Sequence, residues 1–237
     1  MKVVSICQPH FIPWVGYFNM IFNSDEFIIL DNVQYNRRSW QNRVHIRDNN
    51  NLKKKKLLSL SVNDYHQKKN ISEIYLNRNN LNDFKNRIEE AYRDAEHFKK
   101  IFNLTFDILS NNIDNNLSLI NFKLISFFCD YLNIKKNFSL LSDLNLSEKK
   151  ENLILEILKI KKATLYLANN GSLNYAGKNF FNKNNFDFKT HDYEHPIYIQ
   201  KKKDKELDFI SHLSILDVLF NHDKGAEKIV KDFNISN

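Results

Sequence analysis

Three observations predict that this chain belongs to the α/β class, with a sheet in which parallel strands predominate. Residues 3–6 and 27–30 are short, continuous apolar runs, as expected of strands that are covered on both faces. Between them, Pro9 and Pro13 exclude regular structure, and residues 16–22 are apolar enough for a short buried helix. Strand, helix and strand within about 30 residues form a βαβ unit, whose crossover is expected to be right-handed.

The middle of the chain is predicted to be helical. From residue 81 to residue 132, apolar side chains recur three or four positions apart, which predicts helices over 81–95, 96–110 and 117–132. The aromatic side chains of these stripes are expected to face a core rather than a cofactor. We therefore expect one domain over residues 1–237, with residues 81–132 as a helical insertion or subdomain within it.

Outside this helical region, strand and helix patterns alternate. Strands are predicted at 57–62, 138–141, 164–168 and 186–189, and helices at 147–159, 173–184, 213–221 and 225–232. Residues 195–200 form a proline-containing segment. The alternation supports the prediction of an α/β fold.

Composition excludes several classes of protein. Apolar residues make up 42% of the 237 positions and charged residues 27%, so the chain can build a core and is not disordered. Cys7 and Cys129 cannot form a disulfide framework or a cysteine zinc site. The first apolar run is too short for a signal peptide, and no stretch of about 18 apolar residues could span a membrane. We expect a cytoplasmic protein, and a homodimer is compatible with these features.

The formal net charge of +7 does not by itself indicate a partner. Only 7 of the 35 basic residues are arginine, and the basic residues are dispersed, which argues against nucleic acid. The lysine run at 53–56 is interpreted as a solvated turn. No histidine pair has metal-ligand spacing on one predicted helix, so no metal site is expected, and no glycine-rich phosphate loop is found.

The densest set of polar and aromatic side chains lies in the first 47 residues. Residues 8–17 follow the first predicted strand, and residues 31–35 follow the second. Because ligands bind at the carboxyl ends of strands in open parallel sheets, both stretches should line one cleft. The rings of Trp14, Tyr17 and Trp40 could stack on a base or sugar. The guanidinium groups of Arg38 and Arg43 could bind phosphate. The alternative is a rigid loop packed by its own aromatic side chains.

The same region begins a set of motifs that continues along the chain. They are Gln8-Pro9-x-x-x-Pro13-Trp14-x-Gly16-Tyr17-Phe18, Asp31-x-Val33-Gln34-Tyr35, Ser39-Trp40-Gln41-Asn42-Arg43, Gln67, residues 91–93, Tyr175, His195-Pro196-x-Tyr198-x-Gln200 and residues 213–221. Together these motifs resemble the WbqC-like family over nearly the whole chain. Ser61 and Asn169-Asn170 depart from the family's usual proline and glycine-containing pair.

The resemblance to the WbqC-like family implies a role in the biosynthesis of bacterial surface polysaccharide, such as the O-antigen of lipopolysaccharide. It also implies modification of a nucleotide-activated sugar, by acylating or aminoacylating the sugar's amine. The donor would then be an acyl-CoA or another activated acyl group.

A second resemblance concerns the fold. The order strand, proline loop, aromatic-x-Gly-Tyr, helix, Asp and strand is similar to the opening of nucleotidylyltransferases, and implies a Rossmann-like sheet. Those enzymes bind nucleotide phosphates with a His-x-Gly-His motif at the first helix, where this chain has Trp14-Val15-Gly16-Tyr17. Neither imidazole is present, although Gly16 would still leave room for a phosphate at the helix N-terminus.

Acylation of an amine needs a group that accepts the amine proton. The candidate catalytic residues are Asp31, His195 and His10, and Asp31 is preferred because a carboxylate at a strand end can be held rigidly. Asp217 either belongs to a helix N-cap or, beside Tyr198, orients the His195 imidazole. Candidates for recognising sugar hydroxyls are Gln8, Gln34, Asn42 and Gln200.

Three classes of function are consistent with these residues. The preferred one is a transferase acting on a nucleotide-activated amino sugar. The alternatives are a nucleotidylyltransferase-like enzyme that uses Mg²⁺ and a nucleoside triphosphate, and a non-catalytic binding or assembly protein of a glycan enzyme complex. Cys7 could be a nucleophile near His10, although a strand cysteine is more often a small core residue.

Overall fold

The computed structural model describes residues 1–63, 68–111, 114–169, 178–203 and 205–232. The predicted positions Gln67, 170–172 and Tyr175, and the first part of the helix predicted at 173–184, lie outside these ranges. In chain order the strands and α-helices are β1 (Val3–Cys7), α1 (Val15–Phe22), β2 (Glu26–Ile29), β3 (Arg43–Arg47), β4 (Lys55–Ser59), β5 (Ser61–Asn63), β6 (Tyr75–Asn77), α2 (Leu81–Tyr92), α3 (Phe98–Ser110), α4 (Leu117–Tyr131), β7 (Asn137–Leu140), α5 (Lys150–Ile160), β8 (Leu165–Ala168), α6 (Lys178–Lys183), β9 (Asp187–Thr190), β10 (Lys201–Lys202), β11 (Lys205–Glu206), α7 (Ile215–His222) and α8 (Ala226–Lys231).

The central sheet has five strands in the order β7-β2-β1-β8-β9, and each neighbouring pair is parallel. Numbered by their appearance in the chain, the sheet strands run 3-2-1-4-5, which is the order of a Rossmann-type sheet. The strand order reverses between β1 and β8. The predictions of an α/β fold and of a parallel, Rossmann-like sheet are confirmed.

The two central strands are apolar because both faces of the sheet are covered. On β1 and β2, Val4, Ile6 and Ile28 pack into a core with α5 and α6. The neighbouring Cys7 and Phe27 belong to a larger core on the other face, formed with α1, α4, α7 and α8. Alternation of side chains along a strand sends successive residues to opposite faces, so a doubly covered strand reads as a continuous apolar run.

Helices α2, α3 and α4 begin and end within a few residues of their predicted positions. Their periodic side chains, including Phe84, Ile88, Phe102 and Phe128, are buried in the larger core, as the spacing predicted. The description of this region as an insertion stays a prediction.

Three antiparallel strand pairs of the described chain were not fully predicted: β3 with β4, β5 with β6, and β10 with β11. No strand was predicted at β3, yet it pairs with β4 from Arg43↔Ser59 to Arg47↔Lys55. The apolar alternation at 57–62 is divided between β4 and β5, which pairs with β6. The lysine run at 53–56 is not only a solvated turn, because Lys55 and Lys56 belong to β4.

Candidate functional site

A cleft of about 430 Å³ opens beside the loop that follows β1. Its walls come from three separate parts of the chain: the loop after β1, the hairpin of β3 and β4 with the residues before it, and the segment that leads into α7. The lining residues are His10, Phe11, Ile12, Pro13, Trp14, Trp40, Arg43, Val44, His45, Lys55, His212 and Ser214. Residues 10–14 and Trp40 line this cleft, but none of residues 31–35 is among its lining residues, so the two stretches that follow β1 and β2 do not line it together.

Backbone hydrogen bonds hold these three parts together. The N–H of Phe11 donates to the carbonyl of Trp40 at 2.8 Å, and the N–H of Ser214 donates to the carbonyl of His45 at 2.8 Å. The Ser214 hydroxyl also donates to the carbonyl of Ile12 at 3.1 Å. Because two of these three hydrogen bonds join backbone groups, the fold itself holds the three parts of the cleft together.

Trp14 is the centre of one wall. Its indole stacks on His212 with ring centroids 4.7 Å apart, lies 5.9 Å from His195, and meets Tyr193 edge-on at 5.3 Å. The ring also covers Gly16, where an added Cβ would lie 2.2 Å from the nearest indole carbon. We expected Gly16 to leave room for a phosphate at the N-terminus of α1, but the Trp14 ring occupies this space.

The hairpin of β3 and β4 forms the opposite wall. Val44 and Ile46 are buried in the core, so the alternating positions Arg43 and His45 lie on the other face. The exposed Lys55 lines the cleft from β4. Trp40, 45% exposed, meets the His45 ring edge-on at 5.0 Å and offers a free aromatic surface at the rim.

The charges in this cleft are of one sign. Of the described residues that line it, none is acidic, while Arg43 and Lys55 are cationic. Burial lowers the pKa of His10 to about 4. Burial also lowers the pKa values of His45 and His212, and the charge of Lys55 lowers both further. At neutral pH these imidazoles are uncharged and can accept protons.

His195 lies behind the Trp14 wall. Its Nδ1 is 2.9 Å from the carbonyl of Pro196, which identifies Nδ1 as the protonated nitrogen. Its Nε2 is buried and has no hydrogen-bond partner among the described residues, and burial lowers the pKa of the ring to about 4. The His195 ring also packs 5.1 Å from His212 and 6.1 Å from Tyr198.

Tyr198, Gln200 and Asp217 belong to a buried network next to the cleft. The Tyr198 hydroxyl and the Gln200 amide both donate to Asp217 Oδ2 at 2.8 Å, and Arg47 donates to Gln200 Oε1. Burial raises the pKa of Asp217, against the opposing effects of the Tyr198 hydroxyl and the Arg47 charge. The N-cap of α7 is Ser214, whose hydroxyl accepts from the N–H of Leu216 at 3.2 Å.

Asp31 lies at the end of β2 but not among the residues that line the cleft. Its carboxylate is buried and accepts from the Ser142 N–H at 2.9 Å and from the Ser142 hydroxyl at 2.7 Å. Gln34 and Arg38 are exposed and also outside the lining residues. Arg38 adopts a left-handed backbone conformation, with φ of 67°, and its carbonyl accepts from Arg43 at 3.3 Å.

Other expected site residues have structural partners. The Asn42 amide donates to the Leu60 carbonyl at 2.6 Å and accepts from the buried Tyr35 hydroxyl at 3.1 Å. The Tyr17 hydroxyl donates to the Gln8 carbonyl at 3.0 Å, and the Tyr17 ring lies 5.1 Å from His10. These side chains support the cleft loops from behind.

Gln8 and Cys7 mark the end of β1. The Gln41 amide donates to Gln8 Oε1 at 2.5 Å. Cys7 is buried beside Asn169, and burial raises the pKa of its thiol to about 12. Because the thiolate is the reactive form, Cys7 is a small core residue at neutral pH.

Sequence reasoning did not include Lys55, His45 and His212 among the site residues. The alternation Arg43-Val44-His45-Ile46-Arg47 is a strand signal that would have placed His45 and Arg43 on one face. Lys55 was hidden in the lysine run. His212 has no local signal, because only the folded chain brings it to Trp14.

The described part of the chain was also searched for metal sites and membrane spans. It contains no group of three or more His, Cys, Asp or Glu side chains arranged to hold a metal ion. Nor is any helix in the described ranges both long and apolar enough to cross a bilayer.

The fold and cleft together define a Rossmann-like α/β protein with an aromatic cleft that carries basic and imidazole side chains. The chain belongs to the WbqC-like protein family, whose model matches residues 8–229. This membership supports a role in polysaccharide biosynthesis. The chain is also 31% identical over 230 residues, 96% of each chain, to a Mycobacterium tuberculosis protein named "Uncharacterized protein Rv1507c". No solved structure matches the chain.

Proposed function

We propose that this protein is a cytoplasmic transferase of bacterial surface polysaccharide biosynthesis that acylates or aminoacylates the amine of a nucleotide-activated amino sugar. One observation carries the proposal. The cleft combines flat aromatic rings with cationic side chains and has no acidic lining residue in the described chain. A sugar nucleotide presents a flat base, a sugar and a diphosphate, which are the partners that such walls favour.

Each part of the ligand has a suitable partner in the cleft. Arg43 and Lys55 can form charge-assisted hydrogen bonds with the diphosphate. The exposed ring of Trp40 and the half-buried ring of Trp14 can stack on the base or the sugar. Arg38, which the sequence also suggested for phosphate, lies outside the lining residues, so Lys55 takes its place in the proposal.

His10 is the proposed general base. Among Asp31, His195 and His10, only His10 is found among the lining residues. Its lowered pKa keeps the imidazole neutral at pH 7, in the form that accepts a proton. In the proposed reaction the sugar amine attacks the carbonyl carbon of an acyl thioester. The C–S bond breaks, His10 accepts the amine proton, and the thiolate leaves and is reprotonated.

The proposal is tested by measuring binding first. UDP- and dTDP-amino sugars should raise the melting temperature of the wild-type protein. At a hundredfold excess of ligand over Kd, the free energy of unfolding should rise by about 2.7 kcal/mol. Arg43→Ala and Lys55→Ala should each weaken this binding by about 1.5–3 kcal/mol, since each removes a charge-assisted contact. Lys54→Ala is the matched control, because Lys54 belongs to the same lysine run but does not line the cleft.

Turnover is tested with the sugar nucleotides that bind. Mass spectrometry of reactions containing a panel of acyl-CoA donors should detect the N-acylated sugar nucleotide. His10→Gln should lower its rate of formation by roughly 10²–10⁴-fold while nucleotide binding persists. Binding without turnover on any donor would support the assembly protein instead. Pyrophosphate release from a nucleoside triphosphate and Mg²⁺ would support the nucleotidylyltransferase.

A further inference from the structure

Four side chains that line the cleft form a basic cluster: Arg43, His45, Lys55 and His212. Arg43 and His45 are two residues apart on β3, so they lie on the same face. Lys55 is opposite Arg47 on β4, one alternation further along that face. The segment before α7 brings His212 to the same cleft.

The surroundings of this cluster contain further imidazoles, and none of the lining residues in the described ranges carries a carboxylate. His10 lines the cleft from the loop after β1, and His195 packs against His212 at 5.1 Å from the segment behind it. Trp14 and Trp40 cover the two histidines of the cluster, at 4.7 Å from His212 and 5.0 Å from His45. The Ser211 hydroxyl lies 2.8 Å from His212 Nδ1 and brings no charge.

Such a cluster resists its own protonation when the cleft is empty of anions. Burial lowers the pKa values of both His45 and His212, the charge of Lys55 lowers both further, and His212 also lowers the pKa of His45. A bound phosphoryl group would reverse this balance, because its negative charge favours the protonated imidazole. A neutral imidazole has one N–H donor, whereas the protonated ring has two and carries a positive charge, so protonation strengthens its contact with phosphate oxygens, which only accept.

We propose that the basic cluster is the diphosphate subsite of the cleft, and that His45 and His212 take up protons from solvent when the diphosphate binds. This inference rests on the proposed function for the identity of the ligand. It adds a regulation that the function does not require, namely that affinity for the ligand rises as the pH falls. It also assigns phosphate binding to His45 and His212.

The experiment uses isothermal titration calorimetry of the full chain with three ligands: inorganic pyrophosphate, UDP and a UDP-amino sugar. Each titration is repeated at about pH 8 and about pH 6, and in two buffers that differ in ionisation enthalpy, which reports proton uptake. We expect uptake of about one proton per ligand, with affinity rising by up to about tenfold for each unit of pH lowered.

Variants distinguish protons that the protein takes up on binding from protons that the ligand takes up. His45→Gln and His212→Asn keep polar side chains but cannot become charged, and each should lose part of the proton uptake and of the pH dependence. His97→Gln is the matched control, because His97 precedes α3 and does not line the cleft. Lys55→Gln is a fourth variant, at an exposed position. It should lower the affinity for all three ligands, as expected if they share one anion subsite.

The outcomes distinguish this inference from the proposed function. Wild-type proton uptake that falls in both histidine variants supports the inference. UDP-amino sugar binding without proton uptake, or with uptake that both variants retain, overturns the inference and leaves the proposed function standing. Binding of pyrophosphate with proton uptake, but of neither UDP nor the UDP-amino sugar, supports the anion subsite and contradicts the proposed ligand. Absence of binding by all three ligands contradicts both.

Discussion

Strand β3 contributes to two polar regions that differ in how charge is balanced. Near its start, Arg43 lines the cleft together with Lys55, and no acidic lining residue in the described chain neutralises them. At its end, Arg47 is buried and bonded to Gln200, which in turn bonds to the Asp217 carboxylate. The second region is closed and balanced, whereas the first is open and lacks an anion.

The comparison shows that arginine content does not identify a binding site. Two arginines four residues apart on one strand have different surroundings, since Arg47 is linked through Gln200 to the Asp217 carboxylate whereas Arg43 lines a cleft that has no acidic lining residue in the described chain. A buried charge without a partner costs several kcal/mol, so Arg47 needs Asp217. A solvated cation near a cleft has no such need, so Arg43 and Lys55 remain available to a ligand.

The largest expected effect comes from breaking the balanced region. Asp217→Asn removes the charge that balances the buried Arg47, and should lower the free energy of unfolding by about 3 kcal/mol. Urea denaturation measures this loss. Asp83→Asn, in an exposed pair with Arg87 at 3.3 Å, is the control and should cost less than about 0.5 kcal/mol. A variant of normal stability whose turnover collapses would instead place Asp217 in the reaction, as one reading of the sequence suggested.

The second effect concerns the wall of the open region. In Gly16→Ala the new Cβ would lie 2.2–2.7 Å from three carbons of the Trp14 indole, so the ring must move away from His212. Overpacking of this kind costs about 1–3 kcal/mol. Thermal unfolding and tryptophan fluorescence should both change. Gly225→Ala serves as the control, because its nearest neighbour is 3.7 Å away, and a full-length protein with unchanged fluorescence after Gly16→Ala would contradict the packing described.

The third effect is a dependence of stability on pH that originates at His195, behind the Trp14 wall of the open region. The folded pKa of His195 is about 4, below its ordinary value of 6.5, so the unfolded chain binds protons first as the pH falls. The contribution of His195 is therefore complete above about pH 6.5 and is lost towards about pH 4. Between about pH 6.5 and pH 4, the free energy of unfolding should fall by about 1 kcal/mol less in His195→Gln than in the wild-type protein. This figure allows for solvent screening of a partly exposed ring. Denaturation at several pH values tests this, and parallel profiles would refute it.

The smallest effect is expected at Arg38. Its side chain is exposed and outside the cleft lining, and its contact with Arg43 is made by the backbone carbonyl. Arg38→Ala should change stability by less than about 0.5 kcal/mol and nucleotide affinity far less than Arg43→Ala does. Equal losses of nucleotide affinity in Arg38→Ala and Arg43→Ala would show that the ligand also contacts Arg38, outside the residues that line the cleft.

The sequence predicted the sheet well because its strands are covered on both faces. Continuous apolar runs such as those of β1 and β2 have few alternative explanations, and the periodic helices α2 to α4 were placed within a few residues. By contrast, β3 has charged residues at alternate positions, and this polarity was attributed to function before secondary structure was considered. The same error concealed His45 as a residue of the cleft wall.

The candidate site was predicted in part. Trp14, Trp40, Arg43 and His10 line the cleft, as the position of their segments near strand ends suggested. Asp31 was preferred as a base because of its place after β2. Its position at a strand end does not predict that Ser142 donates hydrogen bonds to its carboxylate. Contacts between residues more than about 100 positions apart leave no trace in local sequence patterns, and the catalytic role of Asp31 stays a prediction.

The hydrogen bonds from Ser214 to Ile12 and His45 have a consequence for the order of events during synthesis. The loop after β1 emerges from the ribosome early, but its partner is about 200 residues behind it, and domains complete their folding only when such distant contacts can form. The cleft is therefore among the last features to be completed. A nascent chain that has not yet exposed the segment before α7 lacks the contacts of Ser214 with Ile12 and His45, so the proposed ligand site is complete only after this segment has folded.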